Sequence, residues 1–302
     1  MTNYGYCCIN MELADKGIST NRGMIKKTFL SKGKDYAADL ALLNLKDLHT
    51  ILKWNNEKGI KLFRMSSCLF PWMSEYEFKD LYNYEEILKE CKAIGAYVKE
   101  TGQRLGFHPG HFDILASNSD SVIQNTILDL NRHSQIMDMM DLRTDWYNTI
   151  NIHVGGVYGD KETALSRFCS NFMLLEENTR KRLTVENDDK DSMYSVKDLY
   201  KHIYSVIKIP IIFDYHHHRI NPGGLTEYEA LVLAYSTWPE SIKPLLHYSS
   251  AKKLYEDESV KIQAHADFVY EKINHYDLDL DIELEAKAKE KALSNYIVTH
   301  LK

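Results

Sequence analysis

The chain has 302 residues, 44% of them hydrophobic, with a formal net charge of −6. It is long enough to bury a large core, its apolar runs are too short to cross a bilayer, and MTNYGYCCINMELADKG lacks the basic, apolar, small-residue order of a secretion signal. Five cysteines without CxxC spacing suggest neither a disulfide framework nor a zinc ribbon, so a soluble protein of a reducing compartment is expected, cytoplasmic, or nuclear in a eukaryote.

In chain order, a strand is predicted at YGYCCIN near residues 4 to 9, followed by a polar segment at 14 to 34 without clear periodicity. Residues 36 to 57 space Leu40, Leu43, Leu45, Leu48, Ile51, Leu52 and Trp54 as one helix face, and Asn55, Asn56 and Gly59 stop it. A second strand, IKLFRMS, lies near 60 to 66. Six apolar runs follow: LGFHPG, INIHVGG, LTVEND, IIFDYHHH, PLLHYSS and DIELEAK. Helical patterns lie near 84 to 100, 120 to 141, 162 to 181, 195 to 207, 226 to 236, 266 to 274 and 288 to 299. The polar stretches 14 to 34 and 248 to 262 are candidate binding loops. Strand and helix alternate eight times, which predicts a single-domain (β/α)8 TIM barrel over residues 1 to 302, a fold that takes roughly 250 residues.

Each of the six later runs ends in a group able to bind a divalent metal: His108, His153, Glu186, Asp214 with the following histidines, His247, and Glu285. In a parallel barrel the C-terminal strand ends converge on one mouth, so these groups are predicted to meet there as a polynuclear site. A single histidine at a strand end is more often a hydrogen-bonded loop residue, but six on successive strands are hard to explain that way. Of the histidine run, strand alternation favours Asp214 and His217 pointing inward, with His216 and His218 behind them or at the surface. His49, His133, His202, His275 and His300 sit in helical patterns or the tail and are read as solvated or capping groups. Imidazoles mixed with carboxylates suit Mn, Zn or Fe, and a Glu bridging two ions suits phosphoester hydrolysis. The acidic balance lowers the expectation of DNA binding without excluding it, because bound ions offset carboxylates and Arg180, Lys181, Arg182, Lys252 and Lys253 are available to phosphates.

The order GYCCIN, STNR, FRMSS, FHPGH, IHVGGVYG, VEND, FDYHHHRINPG, LLHYSS, AHADF and EAKAKE, over about residues 4 to 290, resembles the UV-damage endonucleases, relatives of the endonuclease IV apurinic-site nucleases. The resemblance implies a TIM barrel with two or three divalent ions, usually manganese, that acts on double-stranded DNA as a monomer. It would hydrolyse the phosphodiester 5′ of a UV photoproduct, leaving 3′-hydroxyl and 5′-phosphate ends. His108, His153 and Glu186 match ligands of one metal, Glu186, Asp214, His247 and Glu285 those of a second, and His217 and His265 those of a third. Glu186, His108, His153, Asp214 and Glu285 would carry the catalysis. Tyr6 and Asn10 match residues near the lesion-binding cleft.

Two positions depart from the family pattern. After HPG the family commonly has Gln and Tyr, which probe the duplex, whereas this chain has His111 and Phe112; the stacking face is kept and the hydroxyl lost. Where the family places a carboxylated lysine two residues before the HYSS histidine, this chain has Leu245, and Lys243 lies about 7 Å further back on the same strand face. Other readings are an apurinic-site endonuclease, a xylose-isomerase-like sugar isomerase, and a damage-binding protein with a disabled site.

Overall fold

The computed structural model describes residues 2–301. Its strands are β1 (Tyr4–Cys7), β2 (Leu62–Met65), β3 (Arg104–Phe107), β4 (Ile150–Ile152), β5 (Leu183–Glu186), β6 (Ile211–Ile212), β7 (Leu245–Tyr248) and β8 (Asp281–Leu284). All the pairings between them are parallel and run in the order β6-β5-β4-β3-β2-β1-β8-β7. A parallel bridge between Asp214 and His247 joins the two ends, so the sheet closes into the barrel. Among the described residues no helix is long and apolar enough to cross a membrane.

Helices follow the apolar periodicity and stop where the backbone demands it. Helix Tyr84–Thr101 buries Ile87, Cys91, Ile94 and Val98, one face at helical spacing, and ends at Gly102 in the left-handed region. Gly95 lies on that face because a Cβ there would meet the Met140 carbonyl at 1.6 Å, so only glycine lets the next segment approach. The helix predicted at 36 to 57 extends to Lys26–Glu57, with a break at Gly33. Leu45, Leu48, Ile51 and Leu52 are buried against the barrel, each worth about 1.5–3 kcal/mol of transfer free energy, whereas Leu43 is exposed. Asn44, on the same helix, takes the Arg22 N–H and donates to the Leu69 carbonyl, fastening the polar segment after β1.

Three predicted helices need correction. The one at 162 to 181 is two, Lys161–Phe172 and Glu177–Arg182. The one at 195 to 207 opens with a capping box, Ser195 with Asp198, but contains a π turn at Tyr200–Tyr204. Residues 266 to 274 form no helix. Their backbone N–H groups have long-range partners instead: Ala266 donates to the Ser250 carbonyl, Asp267 to Glu256 Oε1 and Ile273 to the Tyr296 hydroxyl. Those bonds replace the ladder to the fourth preceding carbonyl that a helix needs.

The N-terminal end of the barrel is closed by Arg104. It donates to the carbonyls of Tyr147, Trp146 and Lys243 and pairs with Asp281 at 3.1 Å. Above it Leu62, Ile212, Leu245, Trp238 and Ile242 form an apolar layer. This layer separates the Arg104–Asp281 cluster from the titratable groups at the opposite, C-terminal end.

Candidate metal centre

β3, β4, β5, β7 and β8 each run out at the mouth one residue before, at, or just inside a titratable group, and Glu186 of β5 stands at the centre. Its Oε2 is 3.1 Å from His108 Nε2 and 3.0 Å from His247 Nδ1, and its Oε1 is 3.3 Å from His217 Nδ1. The Asn151 amide donates to Oε2 and fixes the carboxylate from the neighbouring strand. Among the described residues, two groups of atoms able to ligate a metal, the atoms of each within 4.8 Å of one another, result: His108, Glu186, His247 and Glu285, and His153, Glu186 and His217. Glu186 belongs to both.

The grouping differs from the partition the resemblance implied. His153 falls with His217, whose rings are 5.5 Å apart, although His108 is equally near at 5.4 Å. Asp214 stays outside both groups: it N-caps helix Tyr215–Ile220, its Oδ1 accepting the His217 N–H at 2.8 Å, while its buried Oδ2 has no partner. His265 is held at the edge, its Nδ1 3.1 Å from the Glu285 carbonyl and its ring 6.2 Å from that of His217.

The histidine run is helical from Tyr215, so strand alternation does not govern it, and His216 and His218 are buried rather than at the surface. His133 is also buried, not solvated, with Nδ1 2.9 Å from the Asp129 carbonyl and 3.1 Å from its carboxylate. Tyr6 and Asn10 face away from the mouth. The Tyr6 hydroxyl donates to Asn55 at 2.7 Å and accepts from the Asn10 amide, while Asn10 caps the next helix through Leu13 N–H. Both are buried in the packing between β1 and the helix behind it, so they offer no surface to a duplex.

Several groups that shape the site escaped the sequence reading. Asp188 is 3.2 Å from His153 Nδ1, and Glu283 is 3.3 Å from His247 Nε2. Each carboxylate faces the ring nitrogen turned away from Glu186, which selects the tautomer able to ligate with the other. Arg64 of β2 lies 2.5 Å from Glu285. The signal for Asp188 and Glu283 was present in alternation: each is two residues from a candidate ligand on the same strand or its extension.

Burial alone would raise the Glu186 carboxyl, but His247, His153, His108 and His217 around it hold it well below the usual range. Burial pulls His247 and His217 down, yet facing carboxylates, Glu186 for the first and Asp214 with Glu186 for the second, push both well above an ordinary imidazole. His108 goes the other way, because burial outweighs Glu186. The unpartnered Asp214 Oδ2 and the mixed nitrogen and oxygen donors fit divalent ions of the Mn, Zn or Fe type.

Leu245 lies on the face of β7 that carries His247, one step deeper, in the apolar layer. Lys243 pairs with Asp279 at 2.8 Å and lies 3.8 Å from Asp281 at the far end, so it does not stand in for the family's lysine. Arg182, offered by the sequence to phosphates, is buried at the start of β5 and spends its donors on Ser134, Asp138 and Leu142. His111 and Phe112 do project from the loop after β3; their rings are 3.9 Å apart and Phe112 is 75% exposed.

The model of the UV-endonuclease UvdE family matches residues 2–302. The chain belongs to the UV-endonuclease family. A UV DNA damage endonuclease of Bacillus cereus (strain Q1) is 33% identical over 270 residues, covering 88% of this chain and 81% of that protein. The crystal structure of SacUVDE superposes on this chain with a TM-score of 0.84 at 30% identity, covering 98% of each chain. Endonuclease IV from Thermus thermophilus shares the barrel alone, with a TM-score of 0.58 at 12% identity over 98% of each chain.

Proposed function

We propose that this protein is a metal-dependent DNA repair enzyme that hydrolyses the phosphodiester immediately 5′ of UV photoproducts in duplex DNA. The observation that carries the reading is the position of Glu186, one carboxylate common to two ligand groups at the mouth of the barrel. His108, Glu186, His247 and Glu285, and His153, Glu186 and His217, would hold divalent ions, manganese being the ion the donor set and family suggest, and such ions would supply Lewis-acid stabilisation of a phosphate and acidify a water.

The remaining work falls to the chain. Asn151 keeps the Glu186 carboxylate turned so that its two oxygens face different histidines. Asp188 and Glu283 hold His153 and His247 with one ring nitrogen free toward the centre. Asp214 fixes the start of helix Tyr215–Ile220 and so the direction of His217. The exposed Phe112, backed by His111, is suited to enter a duplex where damaged bases stack poorly and are displaced at low cost.

Duplexes carrying one defined pyrimidine dimer, one abasic site or no lesion, incubated with protein and MnCl2, test the proposal. Incision 5′ of the dimer, abolished by chelation, is the expected result. Preferential cutting at the abasic site would replace the lesion assignment, and no incision on any duplex would remove the activity.

A further inference from the structure

One ion pair shares an atom with the ligand groups. Arg64, buried on β2, donates from Nη1 to Glu285 Oε1 at 2.5 Å. The same oxygen lies 3.3 Å from His247 Nδ1, so it is the one Glu285 turns toward the group formed with His108, Glu186 and His247. A guanidinium on that oxygen competes for its lone pairs and repels an approaching cation.

Arg64 also has a second acceptor within reach. Glu283 Oε2 lies 3.7 Å from the same Nη1, and both carboxylate oxygens of Glu283 are buried without a well-formed hydrogen bond. Glu283 and Glu285 flank the guanidinium from β8 and its extension, two residues apart on one face. A buried carboxylate with spare acceptor capacity beside a buried guanidinium is a receiving position.

We propose that Arg64 is a positioning residue that passes between two carboxylates, holding Glu285 in place in the metal-free protein and turning to Glu283 when a divalent cation takes the Glu285 oxygen. The inference rests on the metal reading above. Glu283 then has two tasks, facing His247 Nε2 at 3.3 Å and receiving Arg64, and in this scheme neither Arg64 nor Glu283 is itself a ligand.

Calorimetric titration of the metal-stripped full chain with MnCl2 tests this. Glu283→Gln should weaken Mn2+ binding about tenfold or more, because Arg64 then has no carboxylate other than Glu285. Arg64→Gln should tighten it about tenfold while lowering the melting temperature of the metal-free protein, because a competitor is lost along with a charge partner. Arg64→Gln added to Glu283→Gln should recover most of the lost affinity. A merely structural Arg64 predicts weaker binding in all three variants, and that pattern overturns the proposal. Should Arg64→Gln not fold, Arg64→Lys keeps the charge and should bind Mn2+ within about threefold of the parent; a folded Arg64→Lys that binds none also overturns it. A parent protein that takes up no divalent ion overturns the metal reading and this inference together, whereas uptake by the parent with uniformly weakened variants removes the inference alone.

Discussion

Glu186 and His247 meet 3.0 Å apart at the barrel mouth, carboxylate oxygen to Nδ1, both with side chains only 1% exposed. A buried acid and a buried base in contact offset each other's desolvation, and the same two lone pairs would be available to a divalent ion under the proposed function. Changes at Glu186 therefore reach both ligand groups at once.

Glu186→Gln keeps the shape and removes the charge. Metal content, measured by mass spectrometry after dialysis against MnCl2, should fall for both ion positions. Strand incision should drop by at least roughly a hundredfold, the scale of losing a preorganised charge contact, with duplex binding retained. Incision at the parent rate would remove Glu186 from the centre.

Phe112 is 75% exposed, so its truncation costs the fold little. Phe112→Ala should weaken binding of a lesion-containing duplex by about 1–3 kcal/mol, the scale of one lost base-stacking partner, with an unchanged melting temperature. Equal affinity of parent and variant for damaged DNA would take Phe112 out of the interface.

Leu245 occupies the place below His247 where the family offers a charged ligand, and an apolar side chain contributes none. Manganese titration followed by paramagnetic resonance should show tight binding at the two positions that share Glu186 and weaker binding at a third beside His265. Leu245→Lys should lower the melting temperature of the metal-free protein, since an ammonium enters the layer formed with Leu62 and Ile212. Three equally tight ions in the parent would show that Leu245 leaves no deficit.

Asp113, on the loop that carries Phe112, has its carboxyl pushed up to about 7 by burial and by the neighbouring Asp129. A folded-state value above the unfolded one means the native state holds the extra proton, so this contribution is full below about pH 4 and is lost as pH rises through about 7. Asp113→Asn, which stays neutral, should therefore flatten the fall in stability between pH 4 and 7, by on the order of 1–2 kcal/mol after solvent screening. Identical pH profiles for the two proteins in urea melts would contradict it.

Much of the site was legible because a parallel barrel puts all its C-terminal strand ends on one side, so a residue's place at the end of an apolar run fixes its place in space. His108, Glu186, His247 and Glu285 could be listed from one-dimensional pattern for that reason. Which of them come close enough to share an ion could not, because that depends on ångström-scale differences between side chains from different strands. Thus His153 joins His217, while Asp214 turns to cap a helix. The sequence by itself determined strand and helix alternation, the converging donors and the family. Only the tertiary structure decided that Tyr6, Asn10 and Arg182 are interior, that 266 to 274 is held out of a helix by distant acceptors, and that Arg64 and Glu283 stand beside Glu285 and His247. Burial and hydrogen-bond pairing are properties of what the rest of the chain brings alongside, and local periodicity does not encode them.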